Sequence, residues 1–307
     1  MTRPEPARRD PDRGMHGIAA RLAGWIQYPL PQHLISRVVH RLTRARTRWL
    51  KSALIRAFVR GYGVELAEAA VPDPRACESF NDFFTRALKP GARPLPADPD
   101  ALLSPADGEL ARFGSVVDGT LVQAKRHRFR LDELLGGDPA LAARFAGGPF
   151  ATLYLAPRDY HRVHAPLSGR LCEMILVPGR LFSVNDTTAR VVPRLFCRNE
   201  RVVTVFETDA GPLAVVLVGA LCVGSIETVW AGEVTPGSGR ALRRWVYPAS
   251  GTGTVQLERG AELGRFNMGS TVIVLLAQGR AAWRAELREG AVMRVNQALG
   301  RVLRPSA

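Results

Sequence analysis

Apolar and polar side chains near the start of the chain follow the spacing of an α-helix. Within residues 32–50, the apolar positions that share one helical face are Ile35, Val38, Val39, Leu42 and Trp49. The basic positions on the opposite face are Arg37, Arg41, Arg44, Arg48 and Lys51. We therefore predict an amphipathic helix from Gln32 to about Leu50. It belongs to a helical region, residues 15–62, that is interrupted at Pro29 and Pro31.

The rest of the chain has the pattern of a β protein. Short runs rich in apolar or β-branched residues occupy positions 151–156, 171–177, 202–208, 213–223, 252–257 and 271–277. Helical spacing recurs at 130–145 and 283–299. The aromatic segment Phe80–Phe84 predicts a helical turn that docks the turn-rich connector, residues 72–99, onto the core. Strands and helices do not alternate regularly, which argues against a doubly wound parallel sheet. The prediction is an α+β fold, with N-terminal amphipathic helices followed by a mainly antiparallel, β-rich domain.

Composition adds an asymmetry of charge. The chain has 307 residues, of which 46% are apolar, and a formal net charge of +14. Residues 1–64 hold 13 basic and 3 acidic side chains, whereas the other 243 residues hold 29 and 25. We therefore divide the chain into a disordered tail (1–14), a basic helical region (15–65) and a near-neutral β-rich domain (66–307).

The basic helix has three interpretations: an ordinary surface helix, an arm that binds nucleic acid, or a helix that lies on an anionic membrane. The membrane is favoured because each Arg contributes on the order of 1 kcal/mol near such a surface. Trp25, Ile26, Tyr28 and Leu30 add side chains typical of a membrane interface. No recognised nucleic-acid-binding motif accompanies the helix, so nucleic acid is not expected as a partner.

Membrane-spanning and secreted classes of protein are disfavoured. The most apolar stretches, 213–223 and 272–277, are far shorter than the roughly 20 residues of a spanning helix. The N-terminus lacks the order of basic, apolar and small residues that makes a signal peptide. The four cysteines are 25 or more residues apart, so neither a zinc site nor a redox motif is expected.

Three segments of the near-neutral domain carry reactive side chains. His161 and His164 lie where a predicted strand passes into a loop, Asp107 precedes a glycine, and Ser270 stands between Gly269 and an apolar strand. Taken singly, each has an ordinary structural interpretation: a buried histidine, a turn-forming aspartate and a loop that enters a strand. No third ligand accompanies the two histidines, so no metal site is expected.

Together these segments resemble the phosphatidylserine decarboxylases, self-processing enzymes that carry a pyruvoyl group. The matching blocks are residues 80–86 (FNDFFTR), 105–108 (PADG), 159–164 (DYHRVH), 181–185 (LFSVN), 199–201 (NER), 218–220 with 224–227, and 269–271 (GST). They occur in the family's order, from about Arg48 to the C-terminus, and the Gly-Ser-Thr block is the most diagnostic. One departure is Met268, where the bacterial pattern usually has Leu; the two side chains are similar in volume, so we expect little effect.

The resemblance implies that one serine is used twice. Asp107, His164 and Ser270 would first act as a triad, in which Ser270 attacks the carbonyl of Gly269. Cleavage would leave a β chain (1–269) and an α chain (270–307) that begins with a pyruvoyl group made from Ser270. This cofactor would then form a Schiff base with phosphatidylserine and release CO2 to give phosphatidylethanolamine. His161 would assist decarboxylation or protonation, and the sequence does not divide the roles of the two histidines.

The resemblance also implies a location and partners. The substrate would be phosphatidylserine in an anionic membrane, met at the cytoplasmic face of the bacterial inner membrane, and a homodimer rests on the resemblance alone. A non-catalytic binding protein is disfavoured because it would need none of the four reactive residues. A decarboxylase of soluble amino acids is disfavoured by the amphipathic helix. A conventional serine hydrolase is disfavoured because no Gly-x-Ser-x-Gly sequence surrounds Ser270.

Overall fold

The computed structural model describes residues 24–124, 127–222, 225–236 and 241–303, so the predicted tail and the start of the helical region lie outside the described residues. The helices are α1 (Gln32–Thr43), α2 (Arg48–Tyr62), α3 (Phe80–Phe84), α4 (Leu131–Leu134), α5 (Pro139–Ala143), α6 (Asp186–Val191) and α7 (Leu195–Arg198). The first nine strands are β1 (Ala101–Leu103), β2 (Gly108–Ser115), β3 (Thr120–Ala124), β4 (His127–Arg130), β5 (Pro149–Leu155), β6 (Arg162–His164), β7 (Gly169–Val177), β8 (Arg201–Thr208) and β9 (Gly211–Val218). The others are β10 (Ile226–Thr228), β11 (Gly232–Glu233), β12 (Arg243–Val246), β13 (Gln256–Leu257), β14 (Glu262–Phe266), β15 (Ser270–Leu276), β16 (Ala281–Trp283), β17 (Val292–Met293) and β18 (Ala298–Val302).

A nine-stranded antiparallel sheet runs through the middle of the β-rich domain. Its order is β12-β7-β8-β9-β15-β5-β2-β17, and β13 pairs with β7. Side chains of the central strand β15 alternate between two buried apolar clusters: Ile273 and Leu275 enter one, Val272 and Val274 the other. Both faces of the strand are therefore covered, which explains its continuous apolar sequence. The predicted α+β fold with a mainly antiparallel sheet is confirmed.

Different layers cover the two faces of this sheet. The face of Ile273 packs against the short helices through residues such as Leu134, Leu195 and Phe196. The face of Val272 packs against a four-stranded sheet of order β11-β10-β14-β6. Side chains two residues apart on a strand point to the same face, so the side chain of Ser270 lies on the Val272 face of β15, between these two sheets.

The N-terminal helices correct one prediction and confirm another. The single helix predicted from Gln32 to about Leu50 is wrong, because α1 ends at Thr43 and α2 begins after Thr47, which has extended backbone angles. The aromatic turn α3 docks onto α2, as predicted: the ring of Phe58 lies 5.2 Å from that of Phe80, centroid to centroid. Among the described helices, none has the length and apolar character that crossing a membrane requires.

Of two further helix predictions, the one at 130–145 is confirmed in part and the one at 283–299 is wrong. Residues 130–145 form two short helices, α4 and α5, because the chain turns at Gly136 and Gly137, whose φ angles of 94° and 85° suit glycine. Residues 283–299 contain turns, β17 and the ends of β16 and β18. Their buried side chains, such as Leu287 and Leu299, meet in one cluster across strands and turns, so the regular spacing does not reflect a helical face.

Two strand predictions are too long. The strand predicted at 213–223 ends at Val218, and the one predicted at 252–257 is reduced to Gln256–Leu257. The other four predicted strands are present within two residues at each end.

Candidate active site

Five neighbouring strands of the main sheet begin or end at the same edge. Ser270 opens β15 and pairs with Leu155, the last residue of β5. On its other side, Thr271 pairs with Val218 and Val218 with Arg201. The same register continued by one residue aligns Ser270 with Gly219 and Glu200. Asp107 immediately precedes β2, which pairs with the far side of β5, so this edge collects residues that are distant in the sequence.

The Ser270 hydroxyl is a buried polar group without a partner. The residue is fully buried, and its Oγ forms no hydrogen bond with any described residue. A buried polar atom left unsatisfied costs about 1–3 kcal/mol. Such a cost is commonly found at reactive positions, which favours a chemical role for this hydroxyl over a structural one.

The two residues before Ser270 have an unusual backbone. Met268 has a φ of 122°, outside the regions that non-glycine residues normally adopt. Gly269 is open on its side-chain face, because an added Cβ would find its nearest neighbour, the carbonyl oxygen of Leu155, at 3.9 Å. The peptide before Ser270 therefore combines local strain with free access.

The N-terminal helices and the loop before β10 hold this segment in place. Asn267 donates from its backbone N to the Ser225 carbonyl (2.9 Å) and from Nδ2 to Ser225 Oγ (2.5 Å). Asn81 of α3 donates to Asn267 Oδ1 (3.0 Å), and Arg44 donates to Ser225 Oγ (3.2 Å). Met268 packs on the aromatic cluster of α2 and α3. The geometry before Ser270 thus depends on the helical region as well as on the β-rich domain.

His164 is held in one tautomer by two neighbours. Its Nδ1 lies 2.7 Å from the Gly260 carbonyl, which can only accept, so Nδ1 carries the hydrogen. Its Nε2 therefore accepts from the Tyr160 hydroxyl, 3.0 Å away. Burial lowers the pKa of His164, while the Gly260 hydrogen bond and nearby carboxylates, including Asp107, raise it in part. The ring is a neutral base whose lone pair is engaged by Tyr160.

Asp107 is held by a cation and a backbone amide. Arg93 donates from Nε (3.0 Å) and Nη2 (2.5 Å) to its two carboxylate oxygens, and the Val295 N–H donates to Oδ1 (2.8 Å). The backbone N–H of His164 donates to the Pro105 carbonyl (2.7 Å), which ties the two predicted residues to adjoining segments. Asp107 and Ser270 therefore lie at the same sheet edge, and Asp107 is close enough to His164 to raise its pKa, but no hydrogen bond joins any two of the three in this structure.

His161 lies in an apolar environment on the other side of the strand β6. Its ring stacks on Phe84 at 4.1 Å between centroids, and its Nε2 lies 3.3 Å from the Pro157 carbonyl. Complete burial lowers the pKa of His161 to about 3, and its Nδ1 has no partner among the described residues. The backbone carbonyl of His161 accepts from Phe266 N (3.0 Å), close to the segment that leads to Ser270. His161 is therefore a neutral ring with one free lone pair.

Sequence reasoning missed several residues of this site. Tyr160 was inside the block 159–164 but had no assigned role, and the Gly260 carbonyl could not be identified from a side-chain pattern. Arg93, the partner of Asp107, lies in a turn-rich connector without a recognisable motif. A cavity of about 150 Å³ opens beside Asp107, Tyr160 and Arg93, and would give small molecules access to this region.

Comparison with known proteins shows the family to which the chain belongs. A family model described as phosphatidylserine decarboxylase matches residues 80–301, and a second, described as PSD, matches residues 22–63. The phosphatidylserine decarboxylase proenzyme of Azotobacter vinelandii is 55% identical over 274 residues, which cover 89% of this chain and 96% of that relative. The proenzyme of Alkalilimnicola ehrlichii is 59% identical over 248 residues, or 81% of this chain and 85% of the relative. The chain therefore belongs to the phosphatidylserine decarboxylase family.

Proposed function

We propose that this phosphatidylserine decarboxylase cuts itself between Gly269 and Ser270 and works with a pyruvoyl group made from Ser270. The observation that carries the proposal is the fully buried Ser270 hydroxyl, which has no described hydrogen-bond partner. It directly follows the open peptide of Gly269 and the strained Met268. These features fit a serine that reacts with its own preceding carbonyl.

Self-cleavage begins with transfer of the Ser270 proton to His164. The Nε2 lone pair of this imidazole is the acceptor, so the ring has to exchange the Tyr160 hydroxyl for that of Ser270. Asp107 contributes negative charge that stabilises the protonated ring. Ser270 Oγ bonds to the Gly269 carbonyl carbon, and the peptide C–N bond breaks to leave an ester and a free amine. The Cα proton of residue 270 is then removed as the Gly269 carboxylate leaves Cβ. The resulting enamine becomes an imine, which adds water and loses ammonia to leave the pyruvoyl group at position 270.

In the mature enzyme the pyruvoyl carbonyl would condense with the substrate's amine and take up the electron pair that CO2 leaves behind. The chain supplies the environment for this chemistry. Phe84 stacks on His161 and excludes water from it, and the free Nδ1 lone pair of this neutral ring can accept a hydrogen bond from the bound substrate. The cavity beside Asp107 and Tyr160 offers a route for the headgroup.

The helical region fits a role in binding the membrane that contains the substrate. The buried side of α1 is polar, and Gln32 accepts from Arg180 Nε (3.1 Å) and from Leu181 N (2.9 Å). The exposed side carries the apolar residues Leu34, Val38 and Leu42, each about half exposed, beside exposed basic residues. Trp49 and Trp25 are 72% and 67% exposed. An ordinary surface helix would have the opposite orientation.

Two of the basic residues assigned to the membrane are engaged elsewhere. Lys51 is buried and donates to the carbonyls of Arg75 (3.0 Å) and Cys77 (2.5 Å). Arg44 is bound to Ser225 and Glu233. The basic residues left exposed at this surface are Arg37, Arg41 and Arg48. We propose peripheral attachment through these cations and the apolar side chains, at the cytoplasmic face of the inner membrane. We keep residues 15–65 as the membrane-binding helical region and residues 66–307 as the β-rich catalytic domain. A homodimer is proposed on the family resemblance alone.

The proposal is tested by the intact mass of the purified protein and of Ser270→Ala. The wild type should give two chains, residues 1–269 and 270–307, and the smaller should be blocked to Edman degradation. Ser270→Ala should remain a single chain without decarboxylase activity. A wild-type protein that stays full-length and still decarboxylates phosphatidylserine would disprove the mechanism.

A further inference from the structure

The sequence block Asn199-Glu200-Arg201 contains one residue that the chemistry above does not use. Its outer residues have structural roles. Asn199 donates to the backbone carbonyls of Phe182 and Gly219, both at 2.8 Å. Arg201 donates to the backbone carbonyls of Glu133, Leu134, Cys197 and Asn199. Glu200, between them, requires a different explanation.

Glu200 is a buried carboxyl without a cationic partner among the described residues. It is 7% exposed and takes part in no salt bridge within the described ranges. The Thr235 hydroxyl donates to it, and Thr235 Oγ1 accepts in turn from the Ile226 N–H (2.9 Å). Burial raises the pKa of Glu200 to about 7, although the hydrogen bond from Thr235 lowers it in part. Near neutral pH this carboxyl therefore exists in both protonation states.

The sheet register places Glu200 in the same row and on the same face as Ser270. The Gly219 N–H donates to the Glu200 carbonyl (2.8 Å), and Gly219 stands between Glu200 and Ser270 in the aligned row. The side chain of Glu200 accepts a hydrogen bond from Thr235, whose Oγ1 accepts one from the Ile226 N–H. Ile226 belongs to the apolar cluster on the Ser270 face of the sheet. Two strand spacings separate the two backbones, roughly 10 Å.

Apolar side chains line the row between these residues. Gly219 itself contributes only backbone, and a Cβ added there would lie 3.1 Å from the Glu200 carbonyl oxygen, 3.4 Å from Leu181 Cδ2 and 3.9 Å from Ile226 Cδ1. A substrate attached at position 270 would therefore have an apolar wall and the Glu200 carboxyl on this side. On the other side, its neighbours would come from β5 and β2.

Decarboxylation requires one proton to be added to the substrate. The bond between the α-carbon and the carboxylate breaks, CO2 leaves without the bonding electrons, and the electron pair remains on the substrate until a new C–H bond forms. Burial lowers the pKa of His161 to about 3, so its ring is not an imidazolium that could donate a proton near neutral pH, whereas a protonated carboxyl is suited to donate one. We propose that Glu200 donates the proton that replaces CO2 on the substrate, becomes a carboxylate, and recovers a proton from water. This inference rests on the pyruvoyl chemistry proposed at Ser270.

The decisive variant is Glu200→Gln, which has nearly the same shape and can still accept from Thr235. Purified wild type should decarboxylate phosphatidylserine in mixed micelles with a kcat that is constant below pH 7 and falls above it, because the acid form is then lost. Glu200→Gln should still cleave itself, since cleavage uses His164 and Ser270. Its kcat should be about 10²–10⁴-fold lower, and the fall near pH 7 should be absent.

A second variant separates proton donation from structural support. Thr235→Val removes the hydrogen bond that lowers the pKa of Glu200, so the fall in kcat should move to higher pH. If Glu200 only anchored Thr235, both variants would lower the melting temperature alike and leave the pH profile in place. Glu207→Gln is the matched control, because Glu207 is an exposed residue of the same strand, paired with Arg144.

A direct titration does not depend on activity. In the uncleaved Ser270→Ala protein, infrared difference spectra between pH 5 and pH 9 should show a buried carboxyl that is absent when Glu200→Gln is added. A self-cleaved Glu200→Gln enzyme with wild-type kcat and pH profile would overturn this inference alone. Failure of the wild type to cleave would instead overturn the proposed function.

Discussion

The helix α1 and the sheet edge around Ser270 both reverse the usual distribution of polar and apolar groups. On α1, polar residues such as Gln32 and Ser36 are buried, while Leu34, Val38 and Leu42 face outward. At the sheet edge, Ser270 Oγ and His161 Nδ1 are buried without described partners. Each arrangement costs stability. The first is compensated when an apolar surface covers the helix, and the second when a reaction uses the unpaired atoms.

The two regions also have different functions, membrane binding and self-cleavage. Binding to the membrane depends on many weakly coupled side chains, each of which contributes on the order of 1–3 kcal/mol. Self-cleavage depends on a few atoms in one arrangement, so a single substitution should abolish it. Substitutions of the outward-facing side chains of α1 should therefore leave self-cleavage unchanged, and substitutions at the sheet edge should leave membrane binding unchanged. The following experiments test this separation.

The largest effect is expected at His164. His164→Ala removes the base that takes the Ser270 proton, and the rate of self-cleavage should fall at least about 10³-fold. Intact mass over time after synthesis in a cell-free system measures this rate. His127→Ala is the control, because the one hydrogen bond of its Nε2 to a described residue is with the Arg190 carbonyl (3.1 Å), away from the site. Binding of the His164→Ala protein to vesicles should equal that of the wild type; reduced binding would show that the two regions are not independent.

The apolar face of α1 should have the next largest effect. Changing Leu34, Val38 and Leu42 to Ser removes side chains worth about 1.5 kcal/mol or more each on burial, so affinity for anionic vesicles should fall at least about 100-fold. The matched control is the triple change of Leu95, Val117 and Val246 to Ser, which are also exposed apolar residues. Co-sedimentation measures binding. Equal losses in the two triple variants would contradict a specific membrane surface.

The exposed cations should contribute less and depend on salt. Changing Arg37, Arg41 and Arg48 to Gln should weaken binding to anionic vesicles by roughly 10–100-fold at low salt, and much less at high salt. Lys51→Met should behave differently, since its ammonium group supports two backbone carbonyls. It should lower the free energy of unfolding by about 1–3 kcal/mol with little change in vesicle binding. If Lys51→Met weakened vesicle binding and left the free energy of unfolding unchanged, Lys51 would contact the membrane and have no structural role.

Sequence patterns predicted correctly those elements whose conformation depends mainly on their own side chains. The run at 271–277 is apolar throughout because β15 is buried on both faces, and Phe80–Phe84 docks through its rings as expected. Prediction from the sequence failed where contacts with residues distant in the chain determine the local conformation. The buried positions at 283–299 have helical spacing but meet through β16, β18 and turns, and the break between α1 and α2 contains neither proline nor glycine.

The same limit applies to the site. Asp107, His161, His164 and Ser270 were identified from blocks of sequence, and the structure places Asp107 and Ser270 at one sheet edge. The hydrogen bonds of Arg93 to Asp107 and of Tyr160 to His164 depend on the packing of the connector and β6. No spacing in the sequence indicates them.

A smaller effect is expected from Tyr160→Phe. This change frees the Nε2 lone pair of His164 for Ser270, so self-cleavage should be several-fold faster. Burial lowers the pKa of His164, so the base stays deprotonated below its usual value of 6.5. The wild-type cleavage rate should therefore be constant from pH 8 to 6.5 and fall only at lower pH. A slower Tyr160→Phe variant would mean that the tyrosine takes part in the reaction.

The central claim is that residue 270, once converted, is the point at which the lipid is bound and decarboxylated. The most direct test is to treat the purified enzyme with sodium cyanoborohydride and phosphatidylserine in mixed micelles, and to measure the mass of the small chain. Residues 270–307 should gain a lipid at their first residue, linked through the nitrogen of the headgroup. A small chain that remains unmodified while activity is lost, or a lipid attached to residues 1–269, would contradict it.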